Sequence, residues 1–349
     1  MWSLQHLKTI ENNKITKIMV RSTNWVGDAV MTTPAMGALR AAFPAAEIVV
    51  VANPLVGELF RHHPYCDRVM VFDKKGQHRG FRGLWRFSRE LHRERFDLAV
   101  LFQNAIEAAL MAFLAGVPRR AGYRTDGRRF LLNYGASVGK AERKLHHTDY
   151  YLQMLDRFGI RGGDGCLRLE CTEEELAWAR QQLGPGDWVA VNPGAAYGSA
   201  KRWFPERFAE TADRLVEEYG VKIVLTGGPG EKEIGRDIAA AMSAEPLNLI
   251  GRTSVRQLMA VLSGVRLLVS NDSGPMHVGA AFGVPIVAVF GPTDHTTTSP
   301  KADICRIVRK ETDCAPCLLR QCPTDHRCMK AITAADVLAA ARDLLGERR

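Results

Sequence analysis

Residues 266–293 read RLLVSNDSGPMHVGAAFGVPIVAVFGPT. An apolar run at 266–270 leads into Asn271-Asp272-Ser273-Gly274, a helix is expected from about Pro275, and a second apolar run follows at 285–290 before Gly291-Pro292-Thr293. Runs without polar alternation belong to strands covered on both faces, and such parallel strands need a crossover between them. The same rhythm extends outward. Short β-branched runs fall at 17–21, 47–52, 68–72 and 97–102 in the first half and at 188–192 and 221–227 in the second, where helical stretches such as 206–218 and 231–242 separate them. The pattern predicts two doubly wound α/β domains, as many as 349 residues would form. The boundary is expected near residue 170, within a Gly-rich stretch that includes 161–165 (RGGDG) and Gly184-Pro185-Gly186. That makes the domains 1–170 and 171–349, with a last helix at 333–346 that could pack on either.

A chain that is 46% hydrophobic and 24% charged is neither disordered nor fibrous. Its net charge of +9 is unevenly spread. Residues 1–170 hold 26 Lys and Arg against 16 Asp and Glu, while 171–349 hold 21 against 22. The longest apolar candidate for a span, 108–117, is too short to cross a bilayer. Residues 1–17 carry no apolar signal core, so a cytoplasmic location is expected. Within 74–95, Arg79, Arg82, Arg86, Arg89 and Arg93 recur along one face of a predicted helix, with Phe81, Leu84, Trp85 and Leu91 turned away from it. Arg119, Arg120, Arg124, Arg128 and Arg129 form a second basic group. Two readings stay open, a solvated face or an amphipathic element suited to an anionic membrane surface. No nucleic-acid motif accompanies the charge, so that partner is not expected.

Ligands of such sheets bind at the carboxyl ends of strands, and three segments there could carry chemistry. In 21–34 (RSTNWVGDAVMTTP), Asp28 follows Gly27 at a helix start; it could be a first-turn acid stabilised by the helix dipole or a general base. No G-x-G-x-x-G follows this strand, so a dinucleotide fingerprint is absent. In 191–205, a small-residue loop runs from Asn192-Pro193-Gly194 to Lys201; it is either an ordinary turn or a phosphate cradle. In 270–293, Gly274 and the helix N-terminus offer unpaired N–H groups to an anion, Ser273 adds a hydroxyl, and His277 lies in the first turn. Asp272 would repel phosphate and is expected to face a sugar hydroxyl or a backbone donor.

Eight cysteines include Cys314, Cys317, Cys322 and Cys328 within fifteen residues, with His326 among them. The spacing could supply four ligands to zinc or an iron–sulfur cluster; reduced thiols or local pairing are the other reading.

The segments WVGDAVMTTPA, NPGAAYGSAKRWFPERFA, LTGGPGE, NDSGPMHVGAAFGVPIVAVFGPTD and CAPCLLRQCPTDHRCM resemble, in order, those of the bacterial family 9 glycosyltransferases, and within them the ADP-heptose:lipopolysaccharide heptosyltransferase II group. The resemblance runs from about Lys17 to Arg342. It implies the GT-B architecture, two Rossmann-like domains facing across a cleft, with acceptor on the first and nucleotide-sugar on the second. It also implies inverting, metal-independent transfer of L-glycero-D-manno-heptose from ADP-heptose to a heptose of the lipopolysaccharide inner core. The implied work is done on the cytoplasmic face of the inner membrane, by a protein peripheral to its anionic leaflet. The implied roles put the base at Asp28 and the phosphate-binding lysine at Lys201. They put an acidic residue near the adenosine at Glu231, with Glu233 close enough to exchange with it, and the donor loop at Asp272, Ser273, Gly274 and His277. A cysteine segment is part of the family pattern without a known metal, so no cofactor is expected. Other readings are heptosyltransferase I, another family 9 enzyme with a different donor or acceptor, or a nucleotide- or lipopolysaccharide-binding protein without turnover.

Overall fold

A computed structural model describes residues 9–11 and 15–346, and the chain divides into two compact units between Glu170 and Cys171. The first unit holds a six-stranded parallel sheet: β1 (Lys17–Arg21), β2 (Glu47–Ala52), β3 (Arg68–Val71), β4 (Leu98–Leu101), β5 (Arg119–Tyr123) and β6 (Tyr134–Ala136). The second holds β7 (Trp188–Asn192), β8 (Lys222–Leu225), β9 (Leu247–Asn248), β10 (Leu267–Asn271), β11 (Ile286–Val289) and β12 (Cys305–Val308). The orders are β3-β2-β1-β4-β5-β6 and β12-β11-β10-β7-β8-β9. Counted from the first strand of each unit, both run 3-2-1-4-5-6, the Rossmann order. Each sheet therefore reverses direction between its first and fourth strands, at β1/β4 and at β7/β10.

Of the central strands, Leu98–Leu101 and Trp188–Asn192 are buried without exception, as apolar strands covered on two faces must be. Met19, Val49, Val51, Phe87, Leu91 and Leu101 belong to one core of the first unit; Val189, Val191, Phe208, Leu215, Val269 and Val289 belong to the core of the second. Local chemistry sets the helix ends. Thr172 and Glu175 form a reciprocal cap at the start of helix Glu173–Leu183, and Gly220, at φ 63°, ends helix Pro205–Tyr219. The last helix, Ala334–Gly346, packs on β10, β11, β12 and the Pro205–Tyr219 helix, within the second unit.

Several expectations need correction. Four strands went unforeseen. β5 (RRAGY) and β12 (CRIV) carry charge where a buried parallel strand carries none, and β6 and β9 are only three and two residues long. Arg119 and Arg120 thus sit on a strand. Arg79 precedes its helix, which spans Gly80–Arg93, as an extended N-cap. On that helix Leu84, Phe87 and Leu91 are buried, whereas Phe81 and Trp85 stand in solvent at 70% and 48% exposure, beside the arginines. Arg89 lies over the Trp85 ring at 5.0 Å. Arg128, expected among the surface arginines, is fully buried.

The amino ends of β1, β2 and β3 are tied by charge. Lys17 Nζ lies 2.6 Å from Glu94 and 3.0 Å from Glu47, and Arg68 bridges the same two acids at 2.6 and 3.1 Å. Hydrogen bonds from Arg68 and then Lys17 hold the Glu94 carboxyl down at about 2. A depressed carboxyl stabilises the fold above its unfolded value and loses that contribution as the pH falls through its folded value. Unfolding free energy should therefore fall between about pH 4.5 and pH 2, by about 1 kcal/mol after solvent screening. Acid titration of Glu94→Gln should show that part of the slope removed.

Candidate functional site

In open parallel sheets the loops on either side of the reversal diverge and leave a crevice at the carboxyl edge. In the second unit those loops follow β7 and β10, and polar side chains join them. Asn192, ending β7, donates from Nδ2 to Thr226 O at 2.9 Å and accepts from the Ser273 hydroxyl at 3.2 Å. Asn271, ending β10, donates to Pro193 O at 2.7 Å and accepts from the Trp203 amide at 3.1 Å. Trp203 is buried, and its indole N–H reaches Ile332 O at 3.1 Å.

This frame carries the charged groups. Lys201, at the end of a 3-10 turn (Ser199–Lys201), places Nζ 2.5 Å from Asp272 Oδ2, with the side chains 12% and 5% exposed. The Thr293 hydroxyl donates to the same oxygen at 2.6 Å. Asp272 thus faces an ammonium and a hydroxyl of the protein's own. Beside it, Ser273 precedes helix Gly274–Ala281 without a side-chain cap, leaving the first-turn amides without that partner. His277 is buried in that first turn. Glu231 accepts from the Gly228 amide at 2.7 Å, and its carboxylate fills the space a side chain on residue 194 would take, within 1.9–2.2 Å of a Cβ there. Glu231 therefore lies against the loop after β7, while Glu233 is exposed on the following helix.

The first unit repeats the plan at β1/β4. Asp28 lies in the first turn of helix Val26–Met31, and among the described residues no backbone amide donates to its carboxylate, so it is not a cap. Its Oδ1 lies 3.4 Å from Nδ1 of His147, at the start of helix His147–Asp156. Tyr151, on the same helix, is held protonated, first by burial and then by the Asp28 charge. Beside Tyr150 lies a concavity of about 370 Å³, lined by Asn104, Arg124, Thr125, Asp126 and Arg143 as well. Behind it Arg128 donates to the carbonyls of Tyr123 and Gln103 and to Asn104 Oδ1. Burial lowers its guanidinium to about 10.

A family model described as glycosyltransferase family 9 (heptosyltransferase) matches residues 84–327. The chain belongs to glycosyltransferase family 9. This glycosyltransferase is 30% identical over 318 residues to lipopolysaccharide heptosyltransferase 2 of Escherichia coli K12, an alignment covering 84% of this chain and 88% of the relative. A crystal structure of a family 9 glycosyltransferase from Veillonella parvula matches with a TM-score of 0.87 at 27% identity, over 97% of this chain and all of that one. The structure of E. coli ADP-heptose lipopolysaccharide heptosyltransferase II matches at 0.78 and 27%, over 95% and 99%. The two doubly wound units are those of the GT-B heptosyltransferase structures.

The glycosyltransferase gathers Lys201, Asp272, Ser273 and Gly274 at the second reversal, with Glu231 against the adjoining loop, and sets Asp28 at the first. His147 and Tyr150 escaped the sequence reading, because nothing local ties HHTDYY to a strand that begins 130 residues earlier. The cysteine segment also has a structural place. Arg320 O accepts from the Ala200 amide at 3.0 Å, Leu318 O from the Tyr197 hydroxyl at 2.9 Å, and His326 Nε2 donates to Ala200 O at 2.7 Å. The segment thus clasps the loop that bears Lys201. Its four cysteines are free of disulfides, and among the described residues no three His, Cys, Asp or Glu side chains group as metal ligands.

Removing one member of a buried ion pair strands the other. Lys201→Ala leaves a carboxylate with Thr293 as its one side-chain donor among the described residues, and calorimetric unfolding should lose about 3 kcal/mol. Asp272→Ala should lose less, because the longer Lys201 chain can turn its ammonium to water.

Proposed function

We propose that this glycosyltransferase transfers L-glycero-D-manno-heptose from ADP-heptose to a heptose of the lipopolysaccharide inner core, inverting the anomeric centre in one displacement without a metal ion. The observation that carries the reading is the alignment with lipopolysaccharide heptosyltransferase 2 along most of both chains. In this reading the acceptor hydroxyl attacks the anomeric carbon, Asp28 takes its proton, and the carbon–oxygen bond to the β-phosphate breaks with its electron pair leaving on ADP. A half-buried carboxylate without backbone donors suits a base. Lys201 and the N-terminus of helix Gly274–Ala281, which has no side-chain cap, would bear the charge developing on the diphosphate. Glu231 would face the nucleoside, as the family resemblance implies.

The reading includes a peripheral position on the cytoplasmic face of the inner membrane, against its anionic leaflet. No helix among the described residues is long and apolar enough to cross a membrane. Arg82, Arg86, Arg89 and Arg93 are exposed on helix Gly80–Arg93 and Arg79 at its cap, flanked by the exposed rings of Phe81 and Trp85. Cations with interfacial aromatics suit a headgroup layer.

Mass-spectrometric transfer assays with ADP-heptose and truncated core acceptors test the reaction. Asp28→Asn should lower kcat by about 10²- to 10⁴-fold, the usual contribution of a general base, with ADP affinity retained; near-wild-type turnover would remove Asp28 as the base. Turnover should survive chelators, and NMR of the first-formed product should report the inverted anomer. Each near-surface arginine contributes about 1 kcal/mol at an anionic membrane. The triple variant Arg82→Gln, Arg86→Gln, Arg89→Gln should thus bind anionic vesicles roughly 100-fold more weakly at low salt. Unchanged sedimentation with vesicles would sink the membrane assignment.

A further inference from the structure

Heptose transfer makes no use of the thiols in the cysteine segment, which are grouped but unequal. Cys328 is buried against Gly291, where a Cβ would come within 3.2 Å of its Sγ. Burial first, and then the charges of Cys314, Cys317 and Cys322, push the Cys328 thiol up. The four groups therefore lie within electrostatic reach of one another, and this one stays protonated. Cys314 and Cys317 are exposed, and Cys322 is half-buried. At Cys322 the surroundings act in the other direction. The Thr324 hydroxyl lies 3.5 Å from its Sγ. Hydrogen bonds from that hydroxyl and then from the Thr324 amide bring the thiol down; the His326 amide adds to them, while burial and the Asp325 charge oppose. A solvent-reaching thiol with thiolate character and other thiols near it is the arrangement that hydroperoxides oxidise.

The backbone ties one pair of these thiols to the loop that bears Lys201. Leu318, Leu319, Arg320 and Gln321 run between Cys317 and Cys322, and the chain turns at Leu318, φ 58°, and bends again at Arg320 and Gln321. The carbonyls of Leu318 and Arg320 are the acceptors for Tyr197 and Ala200, and the Leu318 amide donates to Pro292 O at 2.8 Å. A Cβ on Gly198 would meet Arg320 O at 2.1 Å, so the two backbones touch there. The Tyr197 ring is shared as well: the Arg320 guanidinium lies 5.2 Å and the Lys201 ammonium 5.0 Å from its centroid. A disulfide holds its Cα atoms about 4.4–6.8 Å apart with a dihedral of about 90°. Between Cys317 and Cys322 it would close a ring around the four residues whose carbonyls hold the loop, and would re-aim them.

We propose that Cys322 and Cys317 form a thiol–disulfide switch oxidised by hydroperoxides, and that the bond loosens the segment's hold on the Lys201 loop. The Cys322 thiolate attacks the hydroperoxide; the S–O bond forms, the O–O bond breaks, and the second oxygen leaves with the Cys322 proton as water or an alcohol. The Cys317 thiol then attacks the sulfenic sulfur; the S–S bond forms, the S–O bond breaks, and the hydroxyl leaves with the Cys317 proton as water. Two thiols have lost the two electrons that the hydroperoxide gains. Exchange with a dithiol breaks the bond and restores the clasp. The consequence for ADP rests on the transfer reading of Lys201, whereas the bond and the loosening do not.

The test treats the full, reduced chain with hydrogen peroxide, blocks the remaining thiols and digests with trypsin without reduction. Cleavage after Arg320 and Arg327 puts Cys317, Cys322 and Cys328 in separate peptides. The bond should appear as peptide 311–320 joined to 321–327, with fragmentation placing it at Cys317 rather than Cys314. In the oxidised chain, hydrogen exchange of the Ala200 amide should speed about tenfold as its bond to Arg320 O is lost. ADP affinity by calorimetry should fall about tenfold, and dithiothreitol should reverse both changes. Cys317→Ser and Cys322→Ser should each keep the ADP affinity of the reduced chain and lose the response to peroxide. A failure to join these two cysteines, or a bond that leaves Ala200 exchange unchanged, would overturn the proposal; so would a stoichiometric metal ion held by the thiols of the purified chain. Faster exchange in a chain whose ADP binding is absent or unaltered would instead count against the transfer reading of Lys201 and leave the switch standing.

Discussion

The asparagines that end β7 and β10 are the joint on which the second unit depends. A reversal of strand order parts two neighbouring loops, and backbone groups exposed there need partners once buried. Asn192 and Asn271 supply them by reaching sideways, one to the segment after β8 and the other to both ends of the loop after β7. With the loop held, Trp203 is anchored to Ile332, the cysteine segment can close over Ala200, and Lys201 arrives beside Asp272. Loosening either amide would release a whole edge rather than one contact.

The first unit meets the same demand with guanidinium groups. Arg21, at the end of β1, donates to the carbonyls of Ser22 and Val51, and Arg128 satisfies those of Tyr123 and Gln103. Burial brings both down to about 10, still charged at neutral pH. These two members of the positive excess are structural, and the exposed remainder faces solvent around helix Gly80–Arg93 and the segment after β5. A count of charge by halves cannot make that division.

Legibility followed burial. Strands with two covered faces, such as VVVA in β2 or IVAV in β11, announce themselves because every position must be apolar. RRAGY and CRIV do not, since their polar residues reach solvent or carbonyls that only the fold brings near. The aromatic residues of helix Gly80–Arg93 misled in another way. Trp85 and Phe87 differ by two residues yet lie on opposite sides of the core boundary, and hydrophobicity alone assigns both inward. Within the site, residues that follow strands were readable from turn chemistry. His147 and the Tyr150–Asn104–Arg128 chain join segments far apart in sequence, and nothing in either segment names the other.

The contact between Lys201 and Asp272 changes how this carboxyl edge should be thought of energetically. The lysine already has a resident counter-ion, and Thr293 steadies it. Any anion drawing on that ammonium competes with an internal carboxylate, so association is an exchange of partners whose gain is a difference between two strong attractions. Such an exchange moves little net charge and disturbs few bulk ions, which gives it a shallow response to ionic strength. It also has a built-in return stroke: when the anion departs, Asp272 recaptures the lysine without waiting for water or salt to do so.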